Sequence, residues 1–360
     1  MNLMSMRERR FEMKFLTPAF LGDAEQKGVW RTPPIKALLR QWWRAAYAAE
    51  QNFRSGIEPK MREEEGKLFG HAWLENDIDA KGGKVAARRS LVRLRLDRWD
   101  EGAWKQNKPW PAIEKVTHPE VRNSVDAALY LGYGPVALPR GARSPQLKAN
   151  AAIQADEISE LRLAYPKDCA PLIEQALWLM DRFGALGGRS RNGWGSFSLT
   201  PKDDRPLTGM LPLRDWSQCL DRDWPHAIGK NGQAPLIWRT APQDDWKAVT
   251  KVLAKHKIGL RTHFEFTTGI FAPKTEERHW LSYPVTNHSV AKWGNNLRLP
   301  NSLRFKVRST SDGKLEGVIF HVPCLPPKDF YPDPKKIEEV WRKVHKFLDD
   351  PKSSLTRIPE

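Results

Sequence analysis

Residues 169–200 leave the fold little choice. Cys169 to Phe183 repeats apolar residues at helical spacing and stops at Gly184. The run Gly187 to Ser196 then places four glycines, two arginines and a tryptophan in ten residues, and Ser196 to Thr200 alternates as a short strand. A helix therefore has to reverse into a strand through a segment whose glycines admit positive φ and let another backbone come close. Successive amides in such a turn can form an anion nest. Around Gly188, Ser190 and Asn192, the side chains of Arg189 and Arg191 add charge and Trp194 offers a stacking face. The loop lacks the Lys-Ser/Thr of a nucleotide-binding P-loop, so ATP hydrolysis is not implied. A tight helix-to-strand turn with no ligand is the other reading.

Elsewhere the same two periodicities recur. Arg10 to Leu21 predicts a first strand, with Phe11, Met13 and Phe15 on one face and Glu12 and Lys14 on the other. Pro33 and Pro34 suit a first helical turn, and a helix is expected from Pro34 to Asn52. Residues 53–80 read as charged and irregular with some helix. Ser90 to Trp99 alternates, placing Arg93 and Arg95 on the exposed face of a strand. A short helix or strand is expected within 124–137 and a strand over Ile158 to Tyr165. Residues 201–210 are polar and Pro-rich, which places a domain boundary near 205: a first domain over 1–205 with insertions at about 53–120, and a second over 206–360. The second predicts a helix at Trp246 to His256, strands at His263 to Ile270 and Trp280 to Val285, a hairpin of Asn301 to Arg308 and Leu315 to Pro323 turned at Ser311-Asp312-Gly313, and a final helix over Lys335 to Leu348. Strands separated by helices in both halves make the class α+β, each sheet carrying helices on one face.

The chain of 360 residues carries 59 Lys plus Arg against 43 Asp plus Glu, a net charge of +16 that favours a polyanionic partner. Two clusters stand out besides the glycine loop. Lys36, Arg40 and Arg44 recur at i, i+4 and i+8 on the helix from Pro34, with Arg31 just before them and Trp43 at the edge of the stripe. No acidic residue in that turn offsets them. Lys81 to Lys108 has nine Lys or Arg against three acids, including Arg89, Arg93 and Arg95. A phosphate track and a solvated charged face are the two readings of each. The 16 tryptophans either fill the core or stack unpaired bases.

No stretch reaches the roughly 20 apolar residues of a membrane helix, and MNLMSMRERR lacks the apolar core of a secretory leader. Cys169, Cys219 and Cys324 form neither a zinc pair nor a disulfide framework. A reduced, cytoplasmic setting is expected, with no membrane, no metal and no cofactor.

Taken together, the run Gly28-Val29-Trp30-Arg31-Thr32-Pro33-Pro34-Ile35-Lys36-Ala37-Leu38-Leu39-Arg40 and the loop at 187–196 resemble the RAMP superfamily of CRISPR proteins. Within it, the double Trp of Arg40-Gln41-Trp42-Trp43-Arg44, the early Thr17-Pro18-Ala19-Phe20-Leu21-Gly22-Asp23-Ala24 and the late Arg298-Leu299-Pro300-Asn301-Ser302-Leu303-Arg304-Phe305 are similar to the first subunit of the type III-B Cmr effector. Pro33-Pro34 departs from the small residues of many RAMP proteins. The resemblance implies two ferredoxin-like (RRM-like) domains. It also implies a non-catalytic subunit near the 3′ end of the crRNA, in a ribonucleoprotein of other Cmr subunits that captures complementary single-stranded target RNA in antiviral defence. On that reading Arg31, Lys36, Arg40, Trp43, Arg44, Arg89, Arg93, Arg95, Gly188, Arg189, Ser190, Arg191, Asn192, Trp194 and Arg304 contact RNA, with Asn301 and Lys306 as weaker candidates. A rival is a metal-independent endoribonuclease that processes crRNA precursors, using two of His263, His279 and His288. A second rival is an assembly adaptor whose charge meets acidic proteins.

Overall fold

The computed structural model describes residues 5–72, 74–75, 77–79, 81–294 and 296–358. The chain forms two compact units that interleave in sequence rather than meeting at one boundary near 205. The first comprises residues 1–105, 149–187 and 195–212, and the second comprises residues 106–148, 188–194 and 213–360.

The first unit is built on β1 (Met6–Phe15), α1 (Thr32–Glu50), α2 (Glu58–Phe69), β2 (Arg93–Leu96), β3 (Ile158–Pro166), α3 (Ala170–Phe183) and β4 (Phe197–Pro201). Its sheet is antiparallel in the order β4-β1-β3-β2. Strand alternation sets which side is core. Phe11, Met13 and Phe15 lie in register with Pro201, Leu199 and Phe197 on one side, and Phe11 with Leu161 on the other. All three β1 side chains are fully buried. Over them pack α1, through Ile35, Leu38, Leu39 and Trp42, and α3, through Ile173, Leu177 and Met180. Trp42 meets Phe183 with ring centroids 5.9 Å apart. Pro at the start of α1 removes an amide that the helix leaves unsatisfied in any case.

The second unit carries β5 (Ile237–Arg239), α4 (Trp246–Thr262), β6 (Leu303–Ser309), β7 (Leu315–His321), α5 (Pro334–Asp349) and β8 (Thr356–Arg357). Its main sheet is antiparallel in the order β6-β7-β5-β8. In chain order the named elements of the second unit thus read β-α-β-β-α-β, the first unit adds α2 to that pattern, and each main sheet has its first strand central beside the third. The segment 106–148 adds a short helix, Ala127–Gly132, which packs on α4. Asp126 caps it by accepting the Leu129 amide at 2.8 Å.

The strands expected over His263 to Ile270 and Trp280 to Val285 do not form. Phe271–Ala272 pairs with Ser289–Val290, Tyr283 and Val285 make isolated bridges to Leu299 and His288, and Glu277–Trp280 is a 3₁₀ turn. The Glu276 carboxylate accepts from the Thr267 amide (2.6 Å) and hydroxyl (2.8 Å) and from the Thr268 amide (3.3 Å), engaging donors that a ladder would need. Pro284 removes another.

Between α3 and β4 the chain recloses through Leu186 and Gly195. A Cβ on Gly195 would lie 1.9 Å from the Leu186 carbonyl oxygen, and its φ is +67°. Gly195→Ala should therefore lower stability by about 3 kcal/mol, in the upper range for single substitutions. Urea denaturation followed by tryptophan fluorescence measures it, and an unchanged midpoint would contradict the packing described here.

Candidate nucleic-acid interface

The expected site residues fall into three groups, and the structure treats each differently. On α1, the turn holds no acid, but α2 supplies one. Glu65 is 2% exposed, and its carboxylate accepts from Arg40 Nε at 2.8 Å and from Arg44 Nε and Nη2 at 2.9 and 2.8 Å. Arg40 also lies over the Phe69 ring at 5.8 Å. The stripe is thus not three free cations: two of them hold α1 to α2. Arg31 donates to the Gly22 carbonyl at 2.8 Å. Lys36 has no hydrogen-bond or ion-pair partner among the described residues, and burial, then Arg40, lowers its pKa. Trp43 is a correction. It is 2% exposed and packs on Tyr47 and Phe69, so it offers no face to a base.

In the second group, one arginine is structural and its neighbours are free. Arg88 makes a two-pronged contact with the buried Asp77 at 2.8 Å for each bond, and His71 adds a third at 2.7 Å. Arg88, and after it His71, hold Asp77 well below the ordinary carboxylate range. Arg89, Arg93 and Arg95 are exposed, and their side chains have no hydrogen-bond or ion-pair partner among the described residues. Val92 and Leu96 of the same stretch are buried, as the alternation requires.

The glycine loop is where chemistry converges. Residues 188–194 belong to the second unit. The amides of Asn192 and Gly193 close the turn onto Arg189 and Ser190 carbonyls at 2.8 and 3.3 Å. Those of Gly188, Arg189, Ser190 and Arg191 make no hydrogen bond with a described residue, four consecutive donors in one turn. Arg189 sits at φ +60°, a conformation uncommon outside glycine. Asn192 bridges outward: its amide nitrogen donates to Leu131 O at 2.7 Å, and its Oδ1 accepts from Lys257 Nζ at 2.6 Å. Trp194 is the second correction. It is 2% exposed, seated against Gly132 and 5.9 Å from Trp246, because Gly132 lacks the side chain that would occupy its place.

Two cations of α4 complete this cluster and escaped the sequence reading. Lys257 and Arg261 are one helical turn apart, and Arg261 Nη1 donates to Ser282 Oγ at 2.8 Å. Both keep some surface open to solvent although protein crowds them closely. Burial first, then Arg261 and Arg189, pushes the Lys257 ammonium down to about 7. Burial likewise lowers Arg189, Arg191 and Arg261, which remain charged at neutral pH. Their charge had no periodic signature, since α4 reads as an ordinary amphipathic helix.

Arg191 stands beside the second-unit motif. Its carbonyl accepts the Phe305 amide at 3.0 Å. Arg304 Nε is buried with no hydrogen-bond partner, and burial, then Arg191, pushes its pKa down to about 10. The weaker candidates differ. Asn301 accepts the Leu303 amide at 2.8 Å as a turn residue, and Lys306 is fully buried in β6. Of the histidines, His279 and His288 both pack on Phe266, at 4.9 and 3.9 Å, but His279 is fully buried with Nδ1 accepting the Glu276 amide at 3.0 Å. His263 is exposed against Phe264 and Phe347. Among the described residues no three His, Cys, Asp or Glu are grouped to hold a metal ion, and no helix is long and apolar enough to cross a membrane.

A family model described as the RAMP superfamily matches residues 12–198. Among solved structures, the chain is similar to apo Cmr1 from Pyrococcus furiosus, with 15% identity over 94% of this chain and 96% of that one at a TM-score of 0.44. It is also similar to a chain of the type III-B Cmr-beta complex bound to cognate target RNA, with 10% identity over 94% and 99% of the two chains at a TM-score of 0.47. No curated protein matches.

Glu65→Gln should destabilise the first unit by about 3 kcal/mol, since one neutral amide cannot serve both guanidiniums. Chemical denaturation reads this, and a loss under about 0.5 kcal/mol would assign Arg40 and Arg44 elsewhere. A phosphate bound beside Lys257 would favour its charged form and raise its pKa above the free value near 7. Affinity for a phosphate chain is then full below roughly pH 6 and falls as pH rises from about 7 to 9. Lys257→Arg should flatten that profile, and an identical slope in both proteins would separate Lys257 from the ligand.

Proposed function

The chain belongs to the RAMP superfamily, and on that premise we propose that it is a non-catalytic RNA-binding subunit of a type III-B Cmr ribonucleoprotein. Its place is near the 3′ end of the crRNA, where it helps capture complementary target RNA, and its two halves are ferredoxin-like. The ferredoxin-like reading is supported by the strand order, in which each main sheet sets its first strand beside its third. The choice of subunit rests on the motifs at Thr17–Ala24, Gly28–Arg44 and Arg298–Phe305.

One observation carries the RNA reading: four unengaged amides at 188–191 lie in a turn bearing Arg189 and Arg191, and Asn192 of that turn is tied to Lys257. Amides and guanidiniums together suit phosphate oxygens, and a backbone contact needs no particular base. Asn192 and Ser190 supply further polar atoms at the same turn. In this reading Arg304 supports Arg191 from β6, and Lys36 with Arg31 forms a separate, weaker contact. The endonuclease alternative would need two histidines facing one solvent-open site, whereas His279 is fully buried.

The test uses labelled single-stranded RNA with the intact protein and with Arg189→Ala/Arg191→Ala, with and without EDTA, on native and denaturing gels. The expected result is a shifted but intact RNA in both buffers. In the variant, binding weakens and the log–log salt slope flattens by about 1.4, two single-strand phosphate contacts. Site-specific shortening that survives EDTA would overturn the proposal in favour of the processing enzyme. Absence of any shift, with partner subunits still bound, would favour the adaptor.

A further inference from the structure

The outer face of the first sheet carries a feature that the glycine loop does not explain. Three arginines stand side by side on three adjacent strands. Arg10 of β1 is in register with Arg162 of β3, and Arg162 is in register with Arg95 of β2. Neighbouring strands lie only about 4.8 Å apart, and like charges directly opposite each other destabilise a sheet. All three are exposed. Arg162 is steadied by Glu160, which also accepts Lys202 Nζ at 3.1 Å. The side chains of Arg10 and Arg95 have no hydrogen-bond or ion-pair partner among the described residues. Lys202 prolongs the line, since its amide donates to the Arg10 carbonyl at 2.9 Å. The adjacent row is acidic, with Glu12 opposite Glu160. The cations therefore form a narrow line rather than a broad positive field.

Beyond the end of β2 is an exposed aromatic ring. β2 continues to pair as far as Asp97, whose amide donates to Glu160 O at 3.2 Å. Trp99, two residues on, is 57% exposed, the one tryptophan so exposed among the described residues. Guanidiniums of which only Arg162 is ion-paired among the described residues, with an exposed indole past the acidic row at the end of the same edge strand, match the two chemical parts of a single-stranded nucleic acid.

We propose that the outer face of the β4-β1-β3-β2 sheet is a second single-stranded RNA surface, in which Arg10, Arg95 and Arg162 hold consecutive phosphates and Trp99 stacks a base. The proposal rests on the RNA-binding reading above and adds a site to it. A line of phosphates fits this row better than an acidic protein surface does, because carboxylates alone would leave the indole without a purpose.

Arg10→Ala/Arg95→Ala and, separately, Trp99→Ala test it, with Arg189→Ala/Arg191→Ala as the reference. Binding of a labelled single-stranded RNA of mixed sequence is read by fluorescence anisotropy at several salt concentrations. These side chains are exposed, so thermal melting should be unchanged and a loss of binding is not a loss of fold. The expected result is a salt slope flatter by about 1.4 in the arginine variant, and roughly tenfold weaker binding with little change of slope in Trp99→Ala. If both sheet variants bind like the parent while the loop variant is weakened, the sheet surface is overturned and the RNA-binding reading stands. If the parent itself does not bind RNA, that reading fails and the sheet proposal fails with it. If the sheet variants keep full RNA affinity but no longer join the other subunits, the face is a protein contact and the proposal is overturned.

Discussion

The approach of Gly195 to the Leu186 carbonyl is the constraint on which the rest depends. No side chain fits there, and no other residue adopts that φ without strain. Because the chain closes so tightly between α3 and β4, residues 188–194 are pinched out of the first unit and become part of the second. The turn they form keeps four amides in a row without internal partners.

The cations divide according to whether the fold neutralises them. Glu65 and Asp77 are buried carboxylates, and each draws in arginines that a sequence stripe would count as free. A buried carboxylate without those partners would be strongly unfavourable, so Arg40, Arg44 and Arg88 are structural before they are anything else. By contrast, Arg10, Arg89, Arg93 and Arg95 face solvent with no carboxylate bound among the described residues. Lys257 and Arg261 stand near other cations, and burial first, then Arg261 and Arg189, brings the Lys257 pKa down to about 7. A protein that retains such repulsion gains when an anion arrives, whereas one that has neutralised it gains little.

Much of the architecture was legible in the sequence because it rests on local period. The helix from the Pro pair, the amphipathic run ending at Gly184 and the hairpin around Gly313 formed within a few residues of their expected limits, while the strand of Phe11, Met13 and Phe15 starts four residues earlier and ends at Phe15 rather than Leu21. What failed was set by distant partners. Trp43 and Trp194 looked available for stacking, yet each is covered by residues far away in sequence. The run before Glu276 has strand-like residues, but one carboxylate captures its donors. The candidate site was read from its loop alone: Lys257 and Arg261 lie on a helix whose pattern reports only burial, and the meeting of Lys257 with Asn192 is a tertiary event.

The central claim is that the consecutive amides of Gly188 to Arg191 receive a phosphate chain. Amide hydrogen exchange of the intact protein with and without saturating single-stranded RNA tests this most directly. The account predicts that exchange at residues 188–191 slows markedly on adding RNA, while the amides of Asn192 and Gly193, already bonded within the turn, change little. Unchanged exchange across residues 188–191 in protein demonstrably bound to RNA would contradict it.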